Sequence, residues 1–456
     1  MKKYFTLLLS SLFLFCSLVK AQSWSELGGL NVLAADGTIF SVYSDASGNI
    51  YAAGAFTNSS GKQYVAKYDG STWSELGGLN GLPANNYIQS ICSDASGNIY
   101  AAGYFSDSSG NIYVAKYDGS TWSELGGPNG LAVNNFIISI CSDASGNIYA
   151  AGWFNNSSGK FYVAKYDGST WSELGGQNAL SANFNINSIC SDASGNIYAA
   201  GWFTNSSEKY YVAKYDGNSW SELGGLNGLA ADATIYSVCT DASGNIYAAG
   251  GFTDSSQKTY VAKYDGSTWS EVGGLNGLSG NFNINSICSD ASGNIYAAGE
   301  FTNSSGNRYV AKYNGSSWSE LGGLNALAAN QDIKSVCSDA SGNIYAAGWF
   351  TNSSSMEYVA KYGSVTGINE TSTAGVDVWV YPNPDTGELN IQISSGNDQD
   401  KIDRIEIDDM PGGKIYEQPI NAKYLTFNTK LSTGIYFVKL FVGEKSYCKK
   451  IIVKHN

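Results

Sequence analysis

One phrase, SDASGNIYAAG, recurs along the chain and limits what the chain can fold into. Its seven copies follow one another at a fixed interval of 49 residues, with no insertion or deletion. They start at Ser44, Ser93, Ser142, Ser191, Thr240, Ser289 and Ser338, where Thr240 replaces the first serine. A fixed period of about 20 to 50 residues is typical of repeat proteins, whose units bury their apolar faces against neighbouring units. The sequence therefore predicts a repeat architecture.

Each repeat predicts four short strands. In the second unit, β-rich segments are separated by three turn clusters, which read DASGN, SDSSGN and DGS. The aromatic content of 13% and the 54 glycines fit a protein rich in strands and turns. Four strands in ~49 residues match one blade of a β-propeller. The Ala-Ala-Gly segment should then lie where blades converge on the axis, and the recurrent tryptophan should pack between blades farther out.

The ends of the repeat array predict how it closes. The tripeptide Trp-Ser-Glu and the pentapeptide Tyr-Val-Ala-Lys-Tyr each occur seven times. The first Trp-Ser-Glu, at Trp24, precedes every other repeat element, and the last pentapeptide, at Tyr358, has no such tripeptide after it. We therefore expect residues 24–27 to complete the last blade, formed by residues 335–363, which removes an exposed sheet edge. The predicted fold is all-β, a seven-bladed β-propeller over residues 22–363, with an open solenoid as the alternative.

The sequence of the repeat also resembles known propeller repeats. The segment D-A-S-G-N-I-Y followed by Y-V-A-K-Y-D-G resembles the extracellular NHL-like or SBBP-like propeller repeats, over residues 24–363. The resemblance implies the propeller fold and says little about a ligand.

The N-terminal segment is typical of a secretory signal peptide. Two lysines are followed by an apolar run and by the small-residue spacing of Val19 and Ala21. Lys20 ends the apolar run short of the ~20 residues that a membrane anchor needs. We predict that residues 1–21 are a signal peptide, that no transmembrane segment follows, and that the mature protein is secreted or held at the outer cell surface.

The composition changes after the last repeat. Residues 364–375 form a polar linker rich in small side chains, and residues 376–456 alternate in the manner of short strands. This tail resembles the C-terminal sorting domain (type A) of the type IX secretion system of Bacteroidota. The matching residues are Tyr381, Pro382, Asn383 and Pro384, the block from Gly434 through Tyr436 to Lys439, and the terminal Lys449, Lys450, Ile451, Ile452, Val453 and Lys454. The segment DDMPGG at residues 408–413 departs from the simpler turn usual there.

The resemblance implies a small immunoglobulin-like β-sandwich that the outer-membrane translocon recognises as its partner. It leaves open whether the domain is cleaved off and whether the cargo is attached to the surface or released. The residues themselves support the structural half, because about 80 residues of alternating strands suffice for a small sandwich. The alternative is an ordinary adhesive immunoglobulin-like domain.

Composition argues against several classes of site. The net charge of −13 disfavours nucleic acid, which needs a basic surface. The chain has no CxxC motif and its single histidine is His455, so we expect neither a metal site nor a cofactor. The cysteines of the repeats are expected to be buried free thiols, one per unit from the second onward: Cys92, Cys141, Cys190, Cys239, Cys288 and Cys337.

Positions that differ between repeats collect at two connections expected on one face of the disc. One column follows Ala-Ala-Gly, and two others begin the first strand or precede it. Aromatic rings stack on sugar faces and amides bond to hydroxyls, so these columns predict a carbohydrate site. The predicted ligand-binding residues are Tyr104, Trp153, Trp202, Trp349, Tyr87, Phe136, Phe184 and Phe282. The alternatives are that the rings only fill space between blades, or that loops drift faster.

Catalysis is the competing class of function. A glycosidase needs two carboxyl groups about 5–10 Å apart, and no pair stands out in the sequence. The candidate carboxylates of the variable positions are Asp36, Asp107, Asp232, Asp254, Glu300, Asp332 and Glu357. We expect no catalytic residue and a binding module; a protein-interaction or adhesion platform and, less favoured, a glycan-active hydrolase or lyase are the alternatives.

Overall fold

The computed structural model describes residues 22–128, 130–131, 133–364, 376–382, 389–395, 402–409, 414–422, 424–429, 434–442 and 445–453. The chain divides into two compact units, of which the first spans Gln22–Ser364 and the second is C-terminal to it. The predicted signal peptide, residues 365–375 of the predicted linker, and Asn383 and Pro384 of the sorting motif lie outside the described residues.

The first unit consists of strands joined by turns. Strand β1 (Gln22–Glu26) is followed by four strands in each of the first six blades and by three in the seventh. Blades 1 to 3 contain β2 (Ile39–Ser44), β3 (Ile50–Gly54), β4 (Ala66–Tyr68), β5 (Trp73–Glu75), β6 (Ile88–Ser93), β7 (Ile99–Gly103), β8 (Ala115–Tyr117), β9 (Trp122–Glu124), β10 (Ile137–Ser142), β11 (Ile148–Gly152), β12 (Ala164–Tyr166) and β13 (Trp171–Glu173).

The remaining blades repeat the pattern. Blades 4 to 7 contain β14 (Ile186–Ser191), β15 (Ile197–Gly201), β16 (Ala213–Tyr215), β17 (Trp220–Glu222), β18 (Ile235–Thr240), β19 (Ile246–Thr253), β20 (Thr259–Tyr264), β21 (Trp269–Glu271), β22 (Ile284–Ser289), β23 (Ile295–Gly299), β24 (Ala311–Tyr313), β25 (Trp318–Glu320), β26 (Ile333–Ser338), β27 (Ile344–Gly348) and β28 (Ala360–Ser364). Each blade is one four-stranded antiparallel sheet, so the predicted seven-bladed propeller is confirmed.

The ring closes between the two ends of this unit. Strand β1 pairs antiparallel with β28, from Gln22 opposite Ser364 to Glu26 opposite Ala360. The indole N–H of Trp24 donates to the Leu321 carbonyl of blade 6 at 2.9 Å. The N-terminal strand thus completes the last blade as predicted, and Ser364 belongs to the closing strand rather than to the linker.

An inner ring of serine hydroxyls joins the blades near the axis. In every blade the serine at the third position of the first strand accepts a hydrogen bond from a backbone N–H in the first strand of the next blade, at 3.1–3.3 Å. The acceptors are Ser41, Ser90, Ser139, Ser188, Ser237, Ser286 and Ser335. Each bond satisfies an edge N–H that would otherwise face the axis unpaired.

An outer ring of tryptophans joins the same blades farther from the axis. Each indole N–H donates to a backbone carbonyl of the preceding blade at 2.8–3.0 Å. The donors are Trp24, Trp73, Trp122, Trp171, Trp220, Trp269 and Trp318. The sequence predicted packing here, and the structure adds a hydrogen bond that sets the distance between neighbouring blades.

The core lies between the blades. The Ala-Ala-Gly residues of every second strand are fully buried, as expected where blades converge. One phenylalanine per blade is inaccessible to solvent, and each meets a tyrosine edge-on, with ring centroids 4.8–5.0 Å apart. In blade 1 this pair is Phe56 and Tyr64, where burial raises the pKa of the tyrosine to about 12.

The repeated DASGN turn uses its own carboxylate. Asp94 accepts hydrogen bonds from the backbone N–H groups of Ser96 and Asn98, from the Asn98 side chain and from the Tyr100 hydroxyl. Burial opposes ionisation of this carboxyl, yet the four bonds hold its pKa below the ordinary value. The carboxylate therefore stabilises the turn.

The six cysteines of the repeats are free thiols. Cys92 is buried and the other five are partly buried in the first strands of their blades. Burial raises the pKa of every one of them, for Cys239 to about 12, so these thiols are poor nucleophiles.

The C-terminal unit forms two antiparallel sheets. Its strands are β29 (Val376–Pro382), β30 (Leu389–Ser395), β31 (Ile402–Asp409), β32 (Lys414–Ala422), β33 (Tyr424–Thr429), β34 (Gly434–Val442) and β35 (Lys445–Val453). One sheet has the order β29-β30-β33 and the other β32-β31-β34-β35, the strand count of a small immunoglobulin-like sandwich. The matched tyrosines Tyr381 and Tyr436 lie in β29 and β34, and Lys449 and Lys450 lie in β35, opposite Val438 and Phe437.

Closure generates a stability prediction. Deleting residues 22–30 removes β1, leaves β28 as an open edge and breaks the Trp24 bond to blade 6. We expect the melting temperature of the full chain to fall by several °C, or the protein to aggregate through the free edge. Differential scanning fluorimetry and size-exclusion chromatography measure both. A variant that stays monomeric and equally stable would contradict the closed ring.

The turn between the third and fourth strands generates a pH prediction. Backbone N–H groups and a serine hydroxyl bond to Asp69, Asp118, Asp167 and Asp265 and lower the pKa of each to about 2. Because the folded pKa lies below the unfolded value, these groups stabilise the fold above about pH 4, and that contribution is lost as the pH falls towards 2.

Blade 6 supplies the control for this pH effect. Asn314 occupies the same turn position there and makes the same hydrogen bonds without a charge. Replacing the four aspartates by asparagine should therefore keep the fold and reduce the drop in melting temperature between pH 5 and pH 2. An equal drop in the variant and the wild type would show that these carboxylates contribute nothing to acid sensitivity.

Candidate functional site

The connections that vary between repeats lie on one face of the propeller. Because each blade is an antiparallel meander, the connection into the first strand and the hairpin between the second and third strands share a face. We call this face the variable rim. The two constant turns, DASGN and the turn before Trp-Ser-Glu, lie on the opposite face. The hairpin of each blade also contacts the connection into the next, as in the bridges from Gln63 to Thr57 and to Ala84.

Four aromatic residues of blades 3 and 4 form a cluster on the variable rim, which we call the aromatic patch: Trp153, Phe161, Phe184 and Trp202. The Phe184 ring stacks on Trp202 at 5.6 Å and on Phe161 at 6.0 Å. Trp153 lies 6.4 Å from Trp202 and 6.5 Å from Phe184. Three of the predicted ligand-binding residues are thereby brought together across a blade boundary.

The aromatic patch remains accessible to solvent although its rings touch. Trp153, Phe184 and Trp202 are 39%, 43% and 42% exposed. Apolar rings of this size are normally buried when packing is their only task. The backbone N–H groups of Trp153 and Trp202 donate to the carbonyls of Phe136 and Asn185, respectively. These bonds fix the backbone from which each indole side chain extends.

Phe161 was not predicted from the sequence. It occupies the position just before Tyr-Val-Ala-Lys-Tyr, where all seven repeats differ: Gln63, Ile112, Phe161, Tyr210, Thr259, Arg308 and Glu357. The variability of this column is a signal that could have found it. Its place beside Phe184 depends on the bridge from Phe161 to Ala182 in the next blade, which only the structure shows.

A second aromatic group lies on the variable rim over blades 1 to 3. Phe40 lies 5.9 Å from Tyr87, which lies 6.1 Å from Tyr104. Tyr104 and Phe136 stack face to face at 3.9 Å, and burial raises the pKa of the Tyr104 hydroxyl. Tyr104 and Phe136 thus cover one another and are half-buried, whereas Tyr87 is exposed.

The remaining two predicted residues lie elsewhere on the variable rim. Trp349, in blade 7, has the ammonium group of Lys334 over its ring at 4.7 Å. Phe282, in the connection into blade 6, is exposed, and its carbonyl accepts a bond from the Thr259 hydroxyl. Neither takes part in the aromatic contacts described for blades 1 to 4.

The structure separates the candidate carboxylates by role. Asp36 and Asp232 each hold a threonine of the neighbouring hairpin, and Asp107 and Asp254 cap their own hairpin turns. The backbone of Glu357 forms a β-bridge with Ala35, and burial raises the pKa of the Glu357 carboxyl.

Two pairs of candidate carboxylates lie near one another: Asp36 with Glu357, whose pKa burial and the charge of Asp36 raise, and Glu300 with Asp332. The Lys334 ammonium lies 3.9 Å from the carboxylate of Glu300 and 3.3 Å from that of Asp332. The guanidinium of Arg308 also lies 3.3 Å from the Asp332 carboxylate. Two cations therefore neutralise these two carboxylates.

The described residues contain neither a candidate metal cluster nor a candidate membrane-spanning helix. Within them, no group of three or more histidine, cysteine, aspartate or glutamate side chains could hold a metal ion. Among the same residues we find no helix with the length and apolar character that a membrane span requires.

The C-terminal unit matches a known family. Residues 379–454 match the secretion system C-terminal sorting domain. This confirms the resemblance carried by the tyrosine, glycine and lysine motifs, and the tail of the chain is a domain of this family. No curated protein sequence matches the chain.

Several solved structures are similar to the chain. They include PorZ, an essential surface component of the type IX secretion system of Porphyromonas gingivalis (16% identity, 92% of this chain and 60% of that chain, TM-score 0.48). Others are the extracellular domain of BT4673 from B. thetaiotaomicron (12%, 92% and 59%, 0.49) and the Aleuria aurantia lectin with alpha-methyl-L-fucoside (17%, 62% and 96%, 0.38). The chain spans 60% and 59% of the length of the first two.

Proposed function

We propose that the propeller is a binding module that recognises an extracellular polysaccharide or glycan through the aromatic patch. The observation that carries the proposal is the exposure of Trp153, Phe184 and Trp202, whose rings lie 5.6–6.5 Å apart across two blades. Flat, exposed rings provide stacking surfaces for the apolar faces of sugar units. A polymer could contact both blades at once.

The fold itself does not require these rings. The column that contains Trp153 and Trp202 holds Ala55 in blade 1 and Gly251 in blade 5, at the same point after Ala-Ala-Gly. The amides beside the patch belong to the scaffold: the buried Asn185 side chain donates to Asn187, which in turn donates to the Ile235 carbonyl. The exposed rings therefore carry the proposed contact with the ligand.

The sorting domain indicates export to the cell surface or secretion. We propose that the type IX translocon of a Bacteroidota cell is the partner that reads it, after residues 1–21 have directed the chain to the periplasm. The propeller would then meet its ligand outside the cell. Binding rather than turnover is the proposed activity, because both carboxylates of the Glu300 and Asp332 pair are held in ion pairs.

The aromatic patch generates a mutational prediction. Trp153→Ala and Trp202→Ala should each cost about 1–2 kcal/mol of stability, because the rings are partly exposed and lose one or two ring contacts. Each should weaken binding about tenfold, the loss of one stacking contact. A glycan array identifies the ligand, and calorimetric titration with the polysaccharide that saturates measures affinity.

Trp349→Ala is the matched control. It removes an indole of similar exposure from the same column, three blades away from Trp202. Its affinity should stay within about twofold of the wild type. If the Trp153 and Trp202 variants are strongly destabilised but bind as tightly as the wild type, these rings serve packing and the proposal is wrong. If the wild type binds no glycan on the array but binds a protein ligand, an adhesion platform is favoured.

The tail generates an export prediction. Removing residues 376–456 deletes every strand of the sorting domain and leaves the seven blades and their closure complete. We expect the truncated chain to accumulate folded in the periplasm of its native host, whereas the full chain reaches the surface or the medium. Cell fractionation and immunoblotting measure the distribution. Equal export of both chains would overturn the proposed partner.

A further inference from the structure

A groove separates blades 3 and 4 outside the core. It has a volume of about 530 Å³ and is lined by Tyr149, Lys165 and Ser172 from blade 3 and by Gly195, Tyr215 and Gly217 from blade 4. Gly195 and Gly217 belong to the two constant turns, so the groove reaches the face opposite the variable rim. It is therefore distinct from the aromatic patch.

Lys165 lines this groove from the third strand of blade 3. It stands opposite Tyr149 on one side and Ser172 on the other, so the three side chains share the face of the sheet that points to blade 4. The ammonium lies 5.9 Å from the centroid of the Tyr149 ring. The Tyr149 hydroxyl donates to Asp143 at 2.8 Å, which holds the ring in place beneath the cation.

The charge of Lys165 is not neutralised by the protein. Throughout residues 22–364, as far as they are described, no carboxylate comes within 4 Å of this ammonium, although acidic residues outnumber basic ones by 39 to 26. Two carboxylates also line the groove. Asp143 accepts four hydrogen bonds from its own turn and from Tyr149, and Glu173 accepts bonds from Asn156 and Asn178. The groove thus offers a half-buried cation above an aromatic ring.

The same arrangement recurs around the ring. Every third strand has a lysine at this position, and none has a carboxylate partner in the described part of the propeller; we call them the groove lysines: Lys67, Lys116, Lys165, Lys214, Lys263, Lys312 and Lys361. Six of them lie 5.7–6.0 Å from the tyrosine ring of the neighbouring second strand. The serine opposite is also the same in every blade.

We propose that the grooves between blades are binding sites for an acidic polysaccharide, each holding one sugar unit that bears a sulfate or carboxylate group. The lysine ammonium would pair with the oxyanion, while the serine hydroxyl and the tyrosine of the next blade would contact the sugar. The volume lies within the range of about 300–1,000 Å³ usual for ligand pockets. This site does not depend on the aromatic patch.

Recurrence of the lysine and its tyrosine ring in six blades would make the proposed site multivalent. A polymer held in one groove meets the next as an intramolecular partner, so its avidity can exceed the affinity of a single groove by a hundredfold or more, on the order seen for linked sites. The net charge of −13 opposes a polyanion at long range. At about 0.15 M salt, however, charges farther than about 8 Å are screened, so the groups that line the groove matter most. Among these, Asp143 and Glu173 are engaged in hydrogen bonds, and the Lys165 ammonium is the group proposed to meet the oxyanion.

Dextran sulfate, carboxymethyl dextran and unmodified dextran of equal length test the proposal on the full mature chain at about 0.15 M salt. We expect saturable binding of at least one of the two charged polymers and none of dextran. A preference between them identifies the oxyanion as sulfate or carboxylate. Failure of both charged polymers to bind would overturn the proposal.

Two variants of equal charge locate the site. Replacing Lys165, Lys214, Lys263 and Lys312 by glutamine removes four groove lysines, and we expect at least about a tenfold loss of affinity. Replacing Lys62, Lys160, Lys209 and Lys258 by glutamine removes four lysines of the hairpins on the variable rim and should change affinity by less than about twofold. Equal losses in the two variants would mean that net charge alone attracts the polymer, and the groove sites would be wrong.

An arginine variant and two tryptophan variants test whether the loss of affinity comes from the charge of the groove lysines. Replacing the same four groove lysines by arginine keeps the charge and should keep most of the binding; an arginine variant as weak as the glutamine variant, at an unchanged melting temperature, would overturn the proposed charge pairing. Trp153→Ala and Trp202→Ala should leave dextran sulfate binding unchanged. If these changes abolish it, the polymer binds the aromatic patch and the groove proposal falls.

Discussion

The hydrogen bonds between neighbouring blades are the constraint on which the rest of the structure depends. Near the axis a serine such as Ser188 accepts a backbone N–H of the next blade, and farther out an indole such as that of Trp220 donates to the preceding blade. Both bonds are repeated seven times, through the joint between the two ends of the chain. Each blade must therefore present the same donor and acceptor positions, and a constant repeat length of 49 residues satisfies this condition.

This constraint leaves freedom in defined places. The polar side chains of the constant turns form hydrogen bonds within their own blade, as Asp94 does. The core rings, such as Phe56, are inaccessible to solvent. The position after Ala-Ala-Gly tolerates side chains of different size and charge, because Ala55, Trp153 and Glu300 occupy it in different blades. Binding surfaces can thus differ from blade to blade while the scaffold stays the same, a division common in proteins whose loops are carried by a rigid frame.

Much of the architecture and part of the site could be predicted from the sequence. The copy of Trp-Ser-Glu at Trp24, which precedes every other repeat element, predicted the closing strand. The positions that differ between repeats predicted that Trp153 and Trp202 lie on one face. The contribution of Phe161 could not be predicted with them, because it reaches Phe184 through a bridge to the next blade. The stacking of Tyr104 on Phe136, which half-buries both rings, depends equally on the geometry between blades.

By itself the sequence determined the number of blades, the closure of the ring and the nature of the C-terminal domain, because each depends on residues in a fixed order along the chain. Which side chains meet across blade boundaries was decided by the tertiary structure alone. Asp332 lies 3.3 Å from both Arg308 and Lys334, and Lys165 lines a groove beside Tyr215. The physical reason is that these distances depend on the spacing and rotation of neighbouring sheets, which the inter-blade hydrogen bonds set and a linear repeat does not record.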